Sequence, residues 1–371
     1  MVDLTGQYEK IKDKIDDAIR EVIESTTFIR GPQVGKFQEA LGSYLDIPYV
    51  VACGNGTDAL QVALMALELK PGDEIITTPF TFISTVEVIR LLGMKPVFCD
   101  VNPDTFNIDA DKLENLITPF TKAIIPVHLF GQCSDMESIN KLALKYGLYV
   151  IEDSAQSLGT NYFYSNGITK KAGSLSTIGC TSFFPSKNLG AWGDGGAIFT
   201  SDAVLGEKLG SIVNHGMKEK YYYKYIGVNS RLDTIQAALL NVKLKKLDEY
   251  NSARKVAAEY YDRKLNNCDN VAIPLRVKWS DHIFHQYTLK IGNNLRDDLR
   301  KYLRNKGIPA MVYYPEPLHL QSAYLDMGYS KGDFPEAEEL SRKVISLPMH
   351  TELDEEQLEY ISAGIIDFIN Q

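Results

Sequence analysis

The chain has 371 residues, 44% of them hydrophobic, and 39 basic against 48 acidic side chains give a formal net charge of −9. That length exceeds what one hydrophobic core usually serves, roughly 250–300 residues, so two packed domains are expected. The acidic balance without like-charge blocks excludes a phosphate-neutralising surface, and no apolar run reaches the ~18 residues of a membrane span, so neither nucleic acid nor membrane is an expected partner.

The opening "MVDLTGQYEKIKDKIDD" mixes acids with bases and lacks an apolar centre, so no secretory leader is expected. Five cysteines (Cys53, Cys99, Cys133, Cys180 and Cys268) form no CxxC pair. Reduced thiols in a cytoplasmic protein fit that pattern, and no metal is expected. Residues 7–24 place Tyr8, Ile11, Ile15, Ala18, Ile19, Val22 and Ile23 on one helical face. From residue 49 the pattern alternates: "YVVACG" as strand, "TDALQVALMALEL" as helix, "IITTPF" as strand, "STVEVIRLLGM" as helix, then "KPVFCDV". Such alternation predicts βαβ units and a mainly parallel sheet. "TKAIIPVHLFG", "LYVIEDSAQ", "LSTIGCTSFF" and "GGAIFTS" continue it as strands, with "DMESINKLALKYG" as a helix and "TNYFYSNGITKKAG" as an excursion with turn chemistry.

We read residues 1–245 as one large, doubly wound α/β domain. The stretch "NSRLDTIQAALLNVKLKKLDEYNSARKVAAEYYDRKL" reads as a long helical spine. Beyond it, "HIFHQYTLKI" and "PAMVYYP" read as strands, and "NLRDDLRKYLRNKGI" and "LDEEQLEYISAGIIDFIN" as helices. That order predicts a smaller α+β domain over residues 246–371.

Three loops fall at carboxyl ends of predicted strands, where open α/β sheets bind ligands. In "CGNGTDAL" glycines precede a helix; Thr57 or Asp58 can cap it, or its N–H groups can hold a phosphate that Gly56 lets approach. The spacing is that of neither a P-loop nor a dinucleotide fingerprint. In "VIEDSAQS", Glu152 or Asp153 either caps the next helix or pairs with a cationic ligand. In "TSFFPSKNLGAWGDGGAIF", Lys187 is either a surface lysine or, if desolvated, an amine nucleophile able to form a Schiff base. Together these loops offer a phosphate cradle, an acid for a ring cation and an amine for a carbonyl, the three handles of pyridoxal phosphate.

The set "NGTDAL", "EDSAQS", "TSFFPSKNLGAWGDGGAIFT" and "NSRLDTIQAALL" resembles the nucleotide-sugar aminotransferases of the DegT/StrS type, with the fold of aspartate aminotransferase (fold type I), from "FIRGPQVGKFQEAL" to "ISLPMHTELDEEQLEYI". The resemblance implies pyridoxal 5'-phosphate held as a Schiff base on Lys187, Asp153 against the pyridinium nitrogen and Gln156 near the phenolic oxygen. It implies phosphate contacts from Gly56, Thr57 and Ser182, and Phe82 stacked on the ring. It also implies a homodimer with shared sites, in which Asn229 reaches the other subunit's phosphate and Arg231 its substrate. The expected reaction moves the amino group of L-glutamate to a nucleotide-linked keto-sugar, UDP- or dTDP-linked and 3-keto by likeness of the Lys187 block, for amino-sugar and surface-polysaccharide biosynthesis.

In "MVYYPEPLHL", Tyr313 stands where relatives acting on 3-keto uronic acid sugars read "HYP", which favours a neutral sugar. Tyr313, Tyr314, His319 and Arg231 are the candidate substrate contacts. His128 in "PVHLFG" is a substrate ligand or a backbone-bonded histidine, and "KEKYYYKY" covers the site, contacts a partner or is a surface loop. The rival readings are an amino-acid aminotransferase or lyase of the same fold and a non-catalytic sensor that retains the cofactor.

Overall fold

The apolar runs between residues 49 and 200 assemble into one seven-stranded sheet in the computed structural model, which describes residues 1–370. In chain order the strands of this region are β1 (Tyr49–Cys53), β2 (Glu74–Thr77), β3 (Lys95–Phe98), β4 (Thr121–Ile124), β5 (Tyr149–Asp153), β6 (Asn161–Phe163), β7 (Thr169–Lys171), β8 (Ile178–Ser182) and β9 (Gly196–Thr200). The sheet order is β1-β9-β8-β5-β4-β2-β3, and β6 and β7 form the hairpin expected of the excursion. From β3 through β2, β4 and β5 to β8 every pairing is parallel. β9 runs against both of its neighbours. β2 is buried at every residue, because helices cover both faces of such a sheet and leave no position for alternation.

Local chemistry starts and stops the covering helices. Asn55 accepts the Asp58 N–H at 2.8 Å and caps the helix Gly56–Ala66. Asp135 caps Met136–Tyr146, which ends on Gly147 in the left-handed region at φ 65°. Ala59, Leu60 and Ala63 pack with Val88, Ile89 and Ile212 on one face. Phe37, Leu41, Leu189 and Leu240 pack with Phe183 and Phe199 on the other.

Beyond the sheet, β10 (Met217–Glu219) and β11 (Tyr222–Tyr223) form a small hairpin that exposes Tyr221, Tyr222 and Tyr223. β12 (Val271–Ala272), β13 (Tyr287–Ile291) and β14 (Val344–Leu347) form an antiparallel sheet. Its core gathers Tyr261, Tyr287, Leu289, Leu299, Ile345 and Ile361. A further cluster joins Phe80, Phe98 and Phe130 to Leu318, Tyr324 and Phe334, so the late segments also pack on the carboxyl side of the large sheet.

Four expectations change. The helical face over 7–24 is two helices, Leu4–Glu9 and Lys12–Ser25. The long spine is also two, Thr234–Leu244 and Leu247–Leu265. A tight turn in which the Lys246 N–H bonds the Lys243 carbonyl lets Leu244 and Leu247 both reach one core. "PAMVYYP" makes only a bridge from Met311 to Ser346, since its two prolines offer no N–H, and β14 fills the place beside β13 instead. The "HIFHQ" half of the predicted strand before it turns back on itself at Phe284, φ 51°, and strand geometry begins at Tyr287. Among the described residues no helix is long and apolar enough to cross a membrane, and all five cysteines are free thiols.

Candidate active site

The carboxyl ends of β1, β5 and β8 bring three loops together. β5 ends on Glu152 and Asp153, and alternation along the strand sends them to different partners. Glu152 is fully buried: Oε1 accepts from the Leu175 N–H at 2.7 Å and the Ser176 hydroxyl at 3.0 Å, and Oε2 accepts from the Gly173 N–H at 2.7 Å. The Ser134 N–H donates to His128 Nδ1 at 3.2 Å, so the proton of that ring lies on Nε2 and is given to Glu152 Oε2 at 3.0 Å. His128 therefore has both ring nitrogens occupied inside the fold, the backbone-bonded alternative rather than a ligand contact.

Asp153 is left for other work. It is 7% exposed, and it accepts from the Thr85 hydroxyl at 2.8 Å and, in a local turn, from the Ala155 N–H at 3.2 Å. Nothing in the pattern "FISTVEV" marks Thr85 as the residue that orients it. Lys187 lies in the turn after β8, its N–H bonded to the Phe184 carbonyl at 2.8 Å. Burial lowers its ammonium from 10.5 to about 8, while the Asp153 carboxylate pulls the other way. Lys187 thus feels the charge of Asp153 although 34 positions separate them.

Gly56 opens the capped helix next to Ser182. A Cβ there would lie 2.6 Å from Ser182 Cβ, so only glycine fits this approach. The Thr57 hydroxyl bonds Ser84 at 2.9 Å. Phe82 is 56% exposed, leaving a free aromatic face at the rim. Gln156 accepts the Phe130 N–H at 2.7 Å and donates to the Tyr314 hydroxyl at 3.3 Å. Tyr314 packs edge-on against Phe80 with ring centres 6.0 Å apart, and burial pushes its phenol upward, with Asp153 adding to the shift. Tyr313 adjoins it, half-buried.

The remaining expected residues have their own neighbours within one chain. Asn229 bridges Asn214, and Ser230 accepts the Gly54 N–H at 2.9 Å, which ties this segment behind the β1 turn. Arg231 lines a cleft with Arg30, Gln38 and Asn214. His319 is fully buried, gives its Nε2–H to Glu338 at 3.1 Å and packs on Phe334. It has no exposed atom to offer a substrate, so the expected contact there is replaced by a structural one.

An enclosed amine near neutrality, a carboxylate with spare acceptor capacity and a helix N-terminus with a close hydroxyl can take an aldehyde, a ring cation and a phosphate. The residues fit pyridoxal phosphate on that ground.

Known proteins carry the same organisation. The sequence model of the DegT/DnrJ/EryC1/StrS aminotransferase family matches residues 9–366. The chain is 47% identical over 370 residues to the pleiotropic regulatory protein of Geobacillus stearothermophilus, covering 99% of this chain and 98% of that one. It is 44% identical over 364 residues to the UDP-2-acetamido-2-deoxy-3-oxo-D-glucuronate aminotransferase of Pseudomonas aeruginosa, covering 98% of each. The crystal structure of S. venezuelae DesV superposes with a TM-score of 0.96 at 34% identity, over 100% of this chain and 98% of that one.

Proposed function

The chain belongs to the DegT/DnrJ/EryC1/StrS aminotransferase family, and from that premise we propose that it is a pyridoxal-phosphate-dependent transaminase that moves the amino group of L-glutamate to the 3-keto position of a UDP- or dTDP-linked sugar for amino-sugar biosynthesis. The observation that carries this reading is the convergence of the Lys187 turn, the Asp153 carboxylate held by Thr85 and the Gly56 helix start against Ser182 at the carboxyl ends of β8, β5 and β1.

When bound, the cofactor supplies a carbonyl for amines and a protonated ring that withdraws electrons as a C–H bond breaks. The chain's own residues do the rest. At neutral pH a useful fraction of Lys187 is unprotonated, so it would serve as the amine partner of the cofactor's carbonyl and as the group that carries a proton, as base and then acid. Asp153, oriented by Thr85, would keep the proton on the ring nitrogen. The Gly56 helix start, Thr57 and Ser182 would hold the phosphate, and Phe82 and Gln156 would flank the ring.

The segment 229–231 packs beside the β1 turn, where the Ser230 hydroxyl holds the Gly54 N–H, and we assign Asn229 and Arg231 to the site of a second copy in a homodimer. Tyr313 and Tyr314 line the sugar side. A phenol at Tyr313 in place of an imidazole favours a neutral sugar over a uronate, which separates this chain from the P. aeruginosa relative named for a glucuronate. We place the protein in the cytoplasm and its two domains at 1–245 and 246–371.

The test is a pair of half-reactions on purified, cofactor-loaded protein. L-glutamate is expected to release one 2-oxoglutarate per site, and a panel of UDP- and dTDP-linked 3-keto-sugars, neutral and carboxylated, is expected to reload the carbonyl form. Lys187→Ala is expected to lose turnover. Protein that releases no 2-oxoglutarate overturns the transaminase and supports the cofactor-retaining sensor.

A further inference from the structure

Beneath the turn that carries Lys187 runs a chain of side-chain hydrogen bonds with a fixed direction. It ends on the Leu158 carbonyl, which only accepts, so Asn251 Nδ2 donates to it at 3.2 Å. Asn251 Oδ1 then accepts from Asn188 Nδ2 at 2.7 Å, and the same Nδ2 faces the Ile283 carbonyl at 3.5 Å. Asn188 Oδ1 is left as an acceptor 3.2 Å from His285 Nδ1. An amide oxygen cannot donate, so the His285 proton resides on Nδ1. Asn188, Asn251 and His285 are all buried.

Asn188 follows Lys187 directly, so fixing its side chain fixes the backbone from which Lys187 projects. The bonds that close the turn, from the Lys187 N–H to Phe184 and from the Ala191 N–H to Phe183, are local. The Asn188 amide ties it to residues 63 and 97 positions away. Charge agrees with this arrangement. The groups facing Lys187 and His285 are Asp153, Arg254 and each other, and burial holds the imidazole neutral, with Lys187 and Arg254 adding to the effect.

Resting on the reading of Lys187 as the reactive amine, we propose that His285 is a positioning residue: by donating from Nδ1 to the Asn188 amide oxygen, it locks the Lys187 turn and keeps the amine enclosed. Loss of the donor leaves Asn188 Oδ1 buried and unpaired. The turn then loosens and water reaches the ammonium.

The experiment uses full-length, cofactor-free protein, acetylated with limiting acetic anhydride across a pH series, with Lys187 modification read by mass spectrometry. His285→Leu is expected to raise the Lys187 midpoint by about one pH unit or more, a tenfold loss of free amine at a given pH. His285→Gln, which keeps an N–H donor, is expected to stay near the parent. Should His285→Leu not fold, Asn188→Leu breaks the same bond from its other end and is expected to shift the midpoint likewise; the double variant is expected to shift it no further than either single one. An unmoved midpoint in a folded His285→Leu or Asn188→Leu protein, an equal shift in His285→Gln, or additive shifts in the double variant overturn the proposal. Failure of the functional reading shows separately, as protein that takes up no cofactor, and leaves the labelling profile unchanged.

Discussion

Glu152 and Asp153 are neighbours in sequence whose carboxylates engage separate sets of partners about the end of β5. Glu152 receives four donors, from His128, Gly173, Leu175 and Ser176, and so pins the 173–176 loop to the sheet. Asp153 receives only Thr85 and its own turn, and keeps acceptor capacity for a ligand. One strand end thus carries a fully bonded acid and one with acceptor capacity to spare. Burying a carboxylate is tolerable only when it is bonded, so the unfilled one marks the site.

Asp153→Asn keeps the shape and removes the negative charge. Because that charge raises the Lys187 amine against the effect of burial, its loss is expected to bring the amine below about 8, seen as a labelling midpoint at lower pH in cofactor-free protein. Turnover is expected to fall on the order of 10²–10³-fold, as when a preorganised electrostatic partner is removed. Full activity in this variant would remove Asp153 from the chemistry.

Glu152→Ala strands four donors in the interior. Unfolding in urea is expected to show a loss of about 3–5 kcal/mol, and Glu152→Gln about 1–3 kcal/mol. The loss should be equal in cofactor-free and loaded protein, because Glu152 faces away from the pocket. A deficit seen only in loaded protein would place Glu152 in the site instead.

The sheet was legible in the sequence because its strands are short apolar runs, the first of them set off by amphipathic helices, and the three loops because they stand at strand ends. Lys187, Asp153 and Gly56 could be named from motifs for that reason. His285 could not: "HIFHQYTLKI" alternates like a strand, and only the turn at Phe284 and the bond to Asn188, 97 positions away, give the imidazole its place. Thr85 was hidden in an ordinary helix start, and β14 in an apolar run with no turn signal before it. Contacts between distant segments leave no period in a single chain.

Stability should decline in mild acid through buried histidines. Burial holds His282 at about 3 and His285 well below 6.5. Both are neutral in the fold while the unfolded chain takes up protons below about 6.5, so the unfolded state binds more protons there and the fold loses stability as pH drops. Each histidine costs about 1.4 kcal/mol per pH unit below that point until its folded value is reached. Urea midpoints measured between pH 7.5 and 5 are expected to decline, and less steeply in His282→Gln. A parallel slope in that variant would assign the acid sensitivity to other groups.

Gly56→Ala sets two effects against each other. In a helix alanine is favoured over glycine by up to about 1 kcal/mol, but here its Cβ would meet Ser182 Cβ at 2.6 Å. Overpacking of that kind costs typically about 1–3 kcal/mol, so the net change in folding stability is expected to be small. Relief comes from moving the helix start away from Ser182, and that movement opens the gap in which a phosphate would sit between the helix N–H groups and the hydroxyl. Cofactor affinity, read by absorbance after dialysis in phosphate-free buffer, is therefore expected to weaken at least tenfold, about 1.4 kcal/mol. Thr57→Ala, which gives up a hydroxyl bonded to Ser84 without moving the helix, is expected to weaken it less. Native affinity in Gly56→Ala would mean that the anion is held elsewhere than at this helix start.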